Sequence, residues 1–314
     1  MKRNVFVGNI AVLVAVLCFF VGCNNNQQQA SDIEGELIEI QHKLGVTKVS
    51  VNPERIVVLD IGALETLHEL GVKPVAVPKK FMPEYLSAIK NDENIADAGS
   101  VIEPHLESIN ALNPDLILIS TRQERYFEEL SQIAPTVFIG TDNKDYLNSF
   151  IENTQLLARI TGKEEVADEK LQATRSKIEQ AQEKFKNQPE KALFLIYNNG
   201  KFSAYGKGSR FGFIHDVLMI NPALENMEES VHGQKLSNEL IAESNPDFLF
   251  IVDRNDVVLG KKASKSEIEN KLIQQTAAYK NNRIFYLDPN VWFISGGGLT
   301  SVNLMVDDIL TILK

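Results

Sequence analysis

The spacing of apolar and polar positions changes along the chain, and each change predicts an element. The segment LIEIQHKLGVTKVSV alternates apolar and polar residues and predicts a hairpin near the N-terminus. Beyond it, RIVVLD, PVAVP, LILIS and TVFIG are short apolar runs between turn residues, which predicts buried strands with helices between them. After Asp145 the pattern is helical for about 40 residues. There Ala167, Leu171, Thr174, Ile178, Ala181 and Phe185 trace one apolar stripe with charges on the remaining face. Strand patterns then return in ALFLIY, FSAY, FLFIVD and RIFYLD, with a helix expected at FGFIHDVLM and a last helix from Leu299 to Leu313. The fold class is α/β, with parallel-type sheets flanked by helices.

Two segments repeat one pattern. LESINALNPDLILISTR runs from Leu106 to Arg122, and NELIAESNPDFLFIVDR from Asn238 to Arg254. Each is a short helix, an Asn-Pro-Asp stop and an apolar strand. Proline cannot continue the helix and pushes the preceding residue away from helical geometry. An arginine lies nine residues past each Asn, at Arg122 and Arg254, and a glutamate seven before each Pro, at Glu107 and Glu239. Ligands of open α/β sheets bind beyond the carboxyl ends of strands, which is where both arginines fall. The glutamates fall in helix first turns, where the dipole alone favours them.

A third arginine, Arg210, sits in AYGKGSRFGF. A glycine-rich turn can cradle phosphate. Here the P-loop spacing is absent, and in the dinucleotide pattern the third glycine position is Phe211, with Gly212 one place late. The loop alone leaves open an ordinary surface turn or an anion contact through Arg210.

Composition narrows the function. Lys2 and Arg3, the apolar run Val5–Val21 and Gly22-Cys23 make residues 1–22 an export signal ending in a lipobox-like site, although Phe20 replaces the usual leucine. Cys18 leaves with the signal. Cys23 is then the lone cysteine, excludes an intrachain disulfide and is the expected lipid attachment point, with the polar tract 23–35 as tether. Losing Lys2 and Arg3 takes the net charge from −10 to −12, which argues against nucleic-acid binding. There is no G-x-S-x-G and no H-E-x-x-H, and the five histidines (His42, His68, His105, His215, His232) lack ligand spacing. An enzyme and a receptor for bare metal are therefore both disfavoured.

The lipobox, NPERIVVLD, LETLHELGV, the two Asn-Pro-Asp strands, the long helix and DPNVWFISGGGLTS occur in an order that resembles the substrate-binding lipoproteins of ABC importers for iron–siderophore complexes, haem and cobalamin. The likeness covers essentially the whole mature chain and is greatest to receptors for ferric catecholate siderophores of the petrobactin type. It implies a non-enzymatic, monomeric binding protein. Its expected organisation is an N-terminal lobe over 36–158, a rigid linker helix over 159–188 and a C-terminal lobe over 189–314, with the ligand in the cleft between lobes.

The resemblance places Arg122, Arg210 and Arg254 around the ligand, with Arg125 as an alternative to Arg122. A ferric tris-catecholate carries about three negative charges, which planar, permanently charged guanidiniums suit. Each contact has a gross attraction of about 4 kcal/mol at 4 Å and an effective dielectric of ~20. Trp292, Phe293, Tyr126 and Tyr205 are candidate aromatic walls, although Trp292 also reads as core. His232 matches a histidine that ligates iron in some relatives, but the usual tyrosine partner falls on Phe293, which cannot. The siderophore is thus expected to hold the iron, with no cofactor and no direct protein–metal bond. Glu107 and Glu239 match the two glutamates that dock on the permease. SGGGL is expected to cap the last helix. Haem and cobalamin stay open as alternative ligands.

Overall fold

The computed structural model describes residues 37–225, 227 and 233–313. The expected export signal and tether with Cys23, and His232, lie outside the described residues. Among the described residues no helix is long and apolar enough to cross a membrane.

The alternating N-terminal segment forms the hairpin β1 (Leu37–His42) and β2 (Gly45–Ser50), paired antiparallel from Leu37↔Ser50 to His42↔Gly45. A five-stranded parallel sheet follows, in the order β5-β4-β3-β6-β7. Its strands are β3 (Ile56–Val58), β4 (Ala76–Val77), β5 (Ala96–Asp97), β6 (Leu116–Ile119) and β7 (Thr136–Phe138). β3, β6 and β7 are buried throughout, as continuous apolar runs covered on both faces should be.

The second sheet is mixed, in the order β11-β9-β8-β12-β13, with β10 (Asn221–Pro222) also on β8. β8 (Lys191–Asn198), β12 (Phe248–Asp253) and β13 (Ile284–Leu287) run parallel, while β9 (Lys201–Tyr205) is reversed and pairs antiparallel with both β8 and β11 (Gln234–Leu236). Asn199-Gly200 joins β8 to β9 with φ of 48° and 80°, the left-handed pair that a two-residue hairpin turn requires.

The expected helix over 159–188 is interrupted at Gly162, which ends the helix Tyr146–Thr161 with φ 61°. A Cβ there would come within 2.8 Å of Asn52 Oδ1, so the stop is enforced by space as well as by backbone. The helix between the sheets therefore runs Glu164–Phe185, and its buried residues are the six of the predicted stripe. FGFIHDVLM gives only one helical turn, Phe213–Asp216. The last helix runs Leu299–Ile312, capped at Gly298.

The two Asn-Pro-Asp stops are built alike. Asn113 and Asn245 take left-handed φ of 45° and 40°. The carboxylate of Asp115 accepts from Glu54 N and Arg55 N at 2.7 and 2.9 Å, and that of Asp247 accepts from Lys191 N at 2.9 Å. In each half the motif thus ends a helix and pins the neighbouring strand, β3 or β8.

Candidate functional site

Each arginine is delivered by a strand end. Arg122 follows β6 on a turn held by the buried Gln123. Gln123 Oε1 accepts from Ser120 N at 3.0 Å, and its Nε2 donates to Val101 O at 2.5 Å. Arg254 directly follows β12 and opens the short helix Arg254–Leu259. Arg210 sits on the Gly206–Gly212 loop after β9. There Gly208 N donates to Asp216 Oδ2 at 2.7 Å and Ser209 Oγ to Gly206 O at 2.5 Å. A Cβ on Gly212 would lie 2.4 Å from Asp216 Oδ2. These bonds fix the loop, which carries Arg210 toward Phe293.

The three side chains meet at Phe293. Arg122 Nη2 and Arg210 Nη2 both donate to the Phe293 carbonyl, at 2.7 and 3.1 Å, and Arg122 Nη1 donates to Ile294 O at 2.7 Å. The guanidinium carbons of Arg210 and Arg254 lie 5.1 and 5.7 Å from the Phe293 ring centroid. Arg210 also stands 4.7 Å over Phe211, whose ring stacks between Phe194 at 5.5 Å and Phe293 at 6.1 Å. Arg254 Nη1 donates to Asn198 Oδ1 at 3.3 Å.

No carboxylate hydrogen-bonds any of the three among the bonds described. Burial, then Arg122 and Arg254, push the Arg210 pKa down to about 10, with Tyr205 opposing. Burial also lowers Arg122, against the field of Asp60. Arg122 and Arg210 face a cavity of about 950 Å³ lined also by Asp60, Thr121, Phe211 and Gly296. Arg254 and Phe293 do not line it, so two half-buried guanidiniums face the cavity, a pairing that suits an anionic ligand.

The other expected residues divide. Of the two arginines after β6, Arg122 reaches Phe293. Arg125 is exposed, stacks 4.7 Å over Tyr126 and bonds its hydroxyl at 2.8 Å, and neither residue lines the cavity. Tyr205 is only 6 % exposed and packs edge-on against Phe211, so it backs the aromatic column instead of forming a wall. Trp292 is 1 % exposed, with its indole N–H on Asp308 Oδ2 at 2.9 Å and its ring against Phe194 and Phe213. It borders the cavity as core. Phe211 is itself buried and backs Phe293, which is the half-buried ring of the column. Glu107 and Glu239 are exposed in the first turns of the helices Leu106–Ala111 and Asn238–Ser244. Among the described residues no group of three or more His, Cys, Asp or Glu could hold a metal ion.

The profile of the periplasmic binding protein family matches residues 56–291, both sheets and the helix between them. The chain belongs to that family. The petrobactin-binding protein YclQ of Bacillus subtilis is 37 % identical over 96 % of both chains, and its crystal structure superposes with a TM-score of 0.86 over 89 % of this chain and 99 % of that one. The ferric-anguibactin-binding protein FatB of Vibrio anguillarum is 34 % identical over 97 % of this chain and 98 % of its own. The siderophore-binding protein BauB, solved with two molecules of acinetobactin and ferric iron, is 33 % identical with a TM-score of 0.83, over 89 % of this chain and 99 % of that one. Periplasmic binding proteins are solute-binding proteins, which suits a site built from cations and rings.

Proposed function

We propose that this periplasmic binding protein captures a ferric catecholate siderophore outside the cytoplasmic membrane and passes it to an ABC permease. The observation that carries the reading is the meeting of Arg122, Arg210 and Arg254 at Phe293. A ferric tris-catecholate matches it in charge, and the half-buried Phe293 ring, backed by Phe211, offers flat apolar surface for a catechol ring. The names of the relatives support the ligand class. Iron arrives as cargo coordinated by the siderophore, and Phe293 supplies no ligand atom to it.

The same reading assigns Cys23 as the lipidated residue that holds the protein at the outer face of the membrane. Glu107 and Glu239 dock on the permease, one from each half of the repeat. The receptor works as a monomer.

The test is a titration of the soluble mature chain with a hexadentate ferric catecholate and with a ferric hydroxamate. Binding is followed by calorimetry and by fluorescence of Trp292, the only tryptophan and the immediate neighbour of Phe293. Nanomolar binding of the catecholate alone is expected. Equal binding of the near-neutral hydroxamate would overturn the charge argument, and binding of neither would move the reading to haem or cobalamin.

A further inference from the structure

The carbonyls that gather the arginines belong to a segment with unusual hydrogen bonding. Asn290–Ile294 is a π-type turn, closed by Ser295 N donating to Asn290 O at 3.2 Å. Past Ser295 the chain leaves the helix, with Gly296 at φ 77°, and the following amides donate elsewhere. Gly298 N donates to Ser301 Oγ at 3.1 Å and Leu299 N to Thr66 Oγ1 at 3.2 Å. Both carbonyls are thereby free to accept from Arg122, and one of them from Arg210 as well.

One side chain holds the far end of this segment. Glu65, on the helix Ile61–Glu69, is fully buried. Its Oε1 accepts from Ser295 Oγ at 2.5 Å and from the Tyr85 hydroxyl, and its Oε2 accepts from Ser301 N at 2.8 Å. Packing allows little slack. A Cβ on Gly298 would lie 2.6 Å from Glu65 Oε2, and one on Gly62 would lie 2.9 Å from the Gly297 carbonyl carbon. Ser295 is thus tied by its backbone to the π turn and by its side chain to Glu65, next to the residue whose carbonyl takes Arg122.

We infer that Glu65 is a positioning residue for the arginine cluster, holding the Ser295–Ser301 turn so that Phe293 and Ile294 present their carbonyls to Arg122 and Arg210. It touches no ligand and acts only through Ser295 and Ser301. The inference deepens the anion-binding reading and rests on it for the ligand used in its test. Both carboxyl oxygens are engaged, Oε1 by the Ser295 and Tyr85 hydroxyls and Oε2 by Ser301 N.

The test combines affinity with a signal that needs no ligand. The variants are Glu65→Gln, which is isosteric, and Ser295→Ala, which cuts the link to the π turn together with a 3.2 Å bond to Ser301 Oγ and guards against a folding failure in the first. In each, affinity for a hexadentate ferric catecholate should fall about tenfold. Placed on top of Arg122→Met, each should cost less than twofold more, because the arginine it positions is already gone. The ligand-free signal is the Arg122 guanidinium resonance in ¹⁵N spectra. Rotation about its Cζ–N bonds should be restricted in the parent chain and faster in both variants. Losses that add fully to that of Arg122→Met, or an Arg122 signal unchanged in both variants, would overturn the inference. If the parent chain binds no catecholate while the Arg122 signal responds as expected, the ligand reading fails and the positioning role stands.

Discussion

Arg122 and Arg210 donate to a single oxygen, the carbonyl of Phe293, at 2.7 and 3.1 Å. One comes from the parallel sheet and the other from the mixed sheet, so the shared acceptor sits where the two halves of the chain meet. A carbonyl dipole only partly offsets two cations in a partly buried site. The arrangement is therefore costly when empty and ready for an anion.

Replacing Arg210 should separate stability from binding. Arg210→Met keeps the stem over Phe211 and removes a charge that burial and its two neighbours already disfavour. Affinity for a ferric catecholate should fall at least about tenfold, or 1.4 kcal/mol. Thermal stability should be unchanged or rise by about 1 kcal/mol, as when a buried charge gives way to a packed apolar group. Calorimetric titration and a melting curve on one preparation check both. A drop in melting temperature would mean that the contact with Phe293 O is mainly structural.

The ring of Phe293 can be tested apart from its carbonyl. Phe293→Leu leaves the backbone acceptor for Arg122 and Arg210 but removes the face under Arg210 and Arg254. Exposed cation–π contacts are worth about 0.5–1 kcal/mol each. With two such contacts removed, a loss of affinity of about five- to thirtyfold is expected, with Arg122 still on the carbonyls. Arg254, whose only described hydrogen bond is to Asn198 at 3.3 Å, should become the most mobile of the three by ¹⁵N relaxation.

What the sequence revealed depended on whether a residue's duty leaves a pattern. The linker helix was legible because Ala167 to Phe185 recur at helical spacing, although Gly162 placed its start later than the pattern suggested. Arg122 and Arg254 were legible because their offset from Asn-Pro-Asp repeats. The point where they meet was not, since a backbone carbonyl carries no side-chain signature. Glu65 was hidden for a related reason: in LETLHELGV a glutamate reads as the solvated face of a helix, and only the close approach of Gly62 to Gly297 and Gly298 buries it. Trp292 and Tyr205 show the converse. Residue type marks them as aromatic, but contacts with Phe194, Phe211 and Phe213 decide that they pack as core.

Glu65 should give the stability curve a definite slope with pH. Burial raises its pKa from 4.5 to about 7, against the hydrogen bonds from Ser295, Tyr85 and Ser301. In the unfolded chain it titrates near 4.5, so between the two values the folded chain holds the extra proton. Stability from this group is therefore complete below about pH 4.5, falls as pH rises and levels off above about 7, a change of at most ~3 kcal/mol. The other titratable groups packed near it are Tyr85 and Tyr146, both shifted upward and so neutral throughout the window. Denaturant melts of the parent chain and Glu65→Gln at pH 5 and 8 check the sign. The parent should lose stability between them by more than the variant does.

The paired aspartates predict unequal losses. Asp115 accepts from two strand amides and Asp247 from one. Asp115→Ala should cost about 2–3 kcal/mol and Asp247→Ala about 1–2, in proportion to the hydrogen bonds removed. Neither should change affinity for the ferric catecholate more than twofold, since each pins the end of a strand remote from the arginines. Urea melts and titrations of both variants check this. A binding defect in either would show that strand β3 or β8 transmits its position to the cleft.

Gly298 and Gly62 test whether the seam beside the site tolerates one added carbon. A Cβ on Gly298 would lie 2.3 Å from Gly62 O as well as 2.6 Å from Glu65 Oε2, and neither atom can retreat, one being backbone and the other held by Ser301 N. Gly298→Ala should therefore destabilise by about 2–3 kcal/mol, at the upper end for overpacking, and weaken ligand binding by shifting the Ser295–Ser301 turn. Gly260 provides the control, with a left-handed φ of 63° but nothing within 4 Å of its Cβ position. Gly260→Ala should cost only the backbone strain, about 1 kcal/mol, with affinity unchanged. Equal losses in the two variants, by melting and by titration, would mean that the Gly62–Gly298 contact sets nothing beyond local backbone geometry.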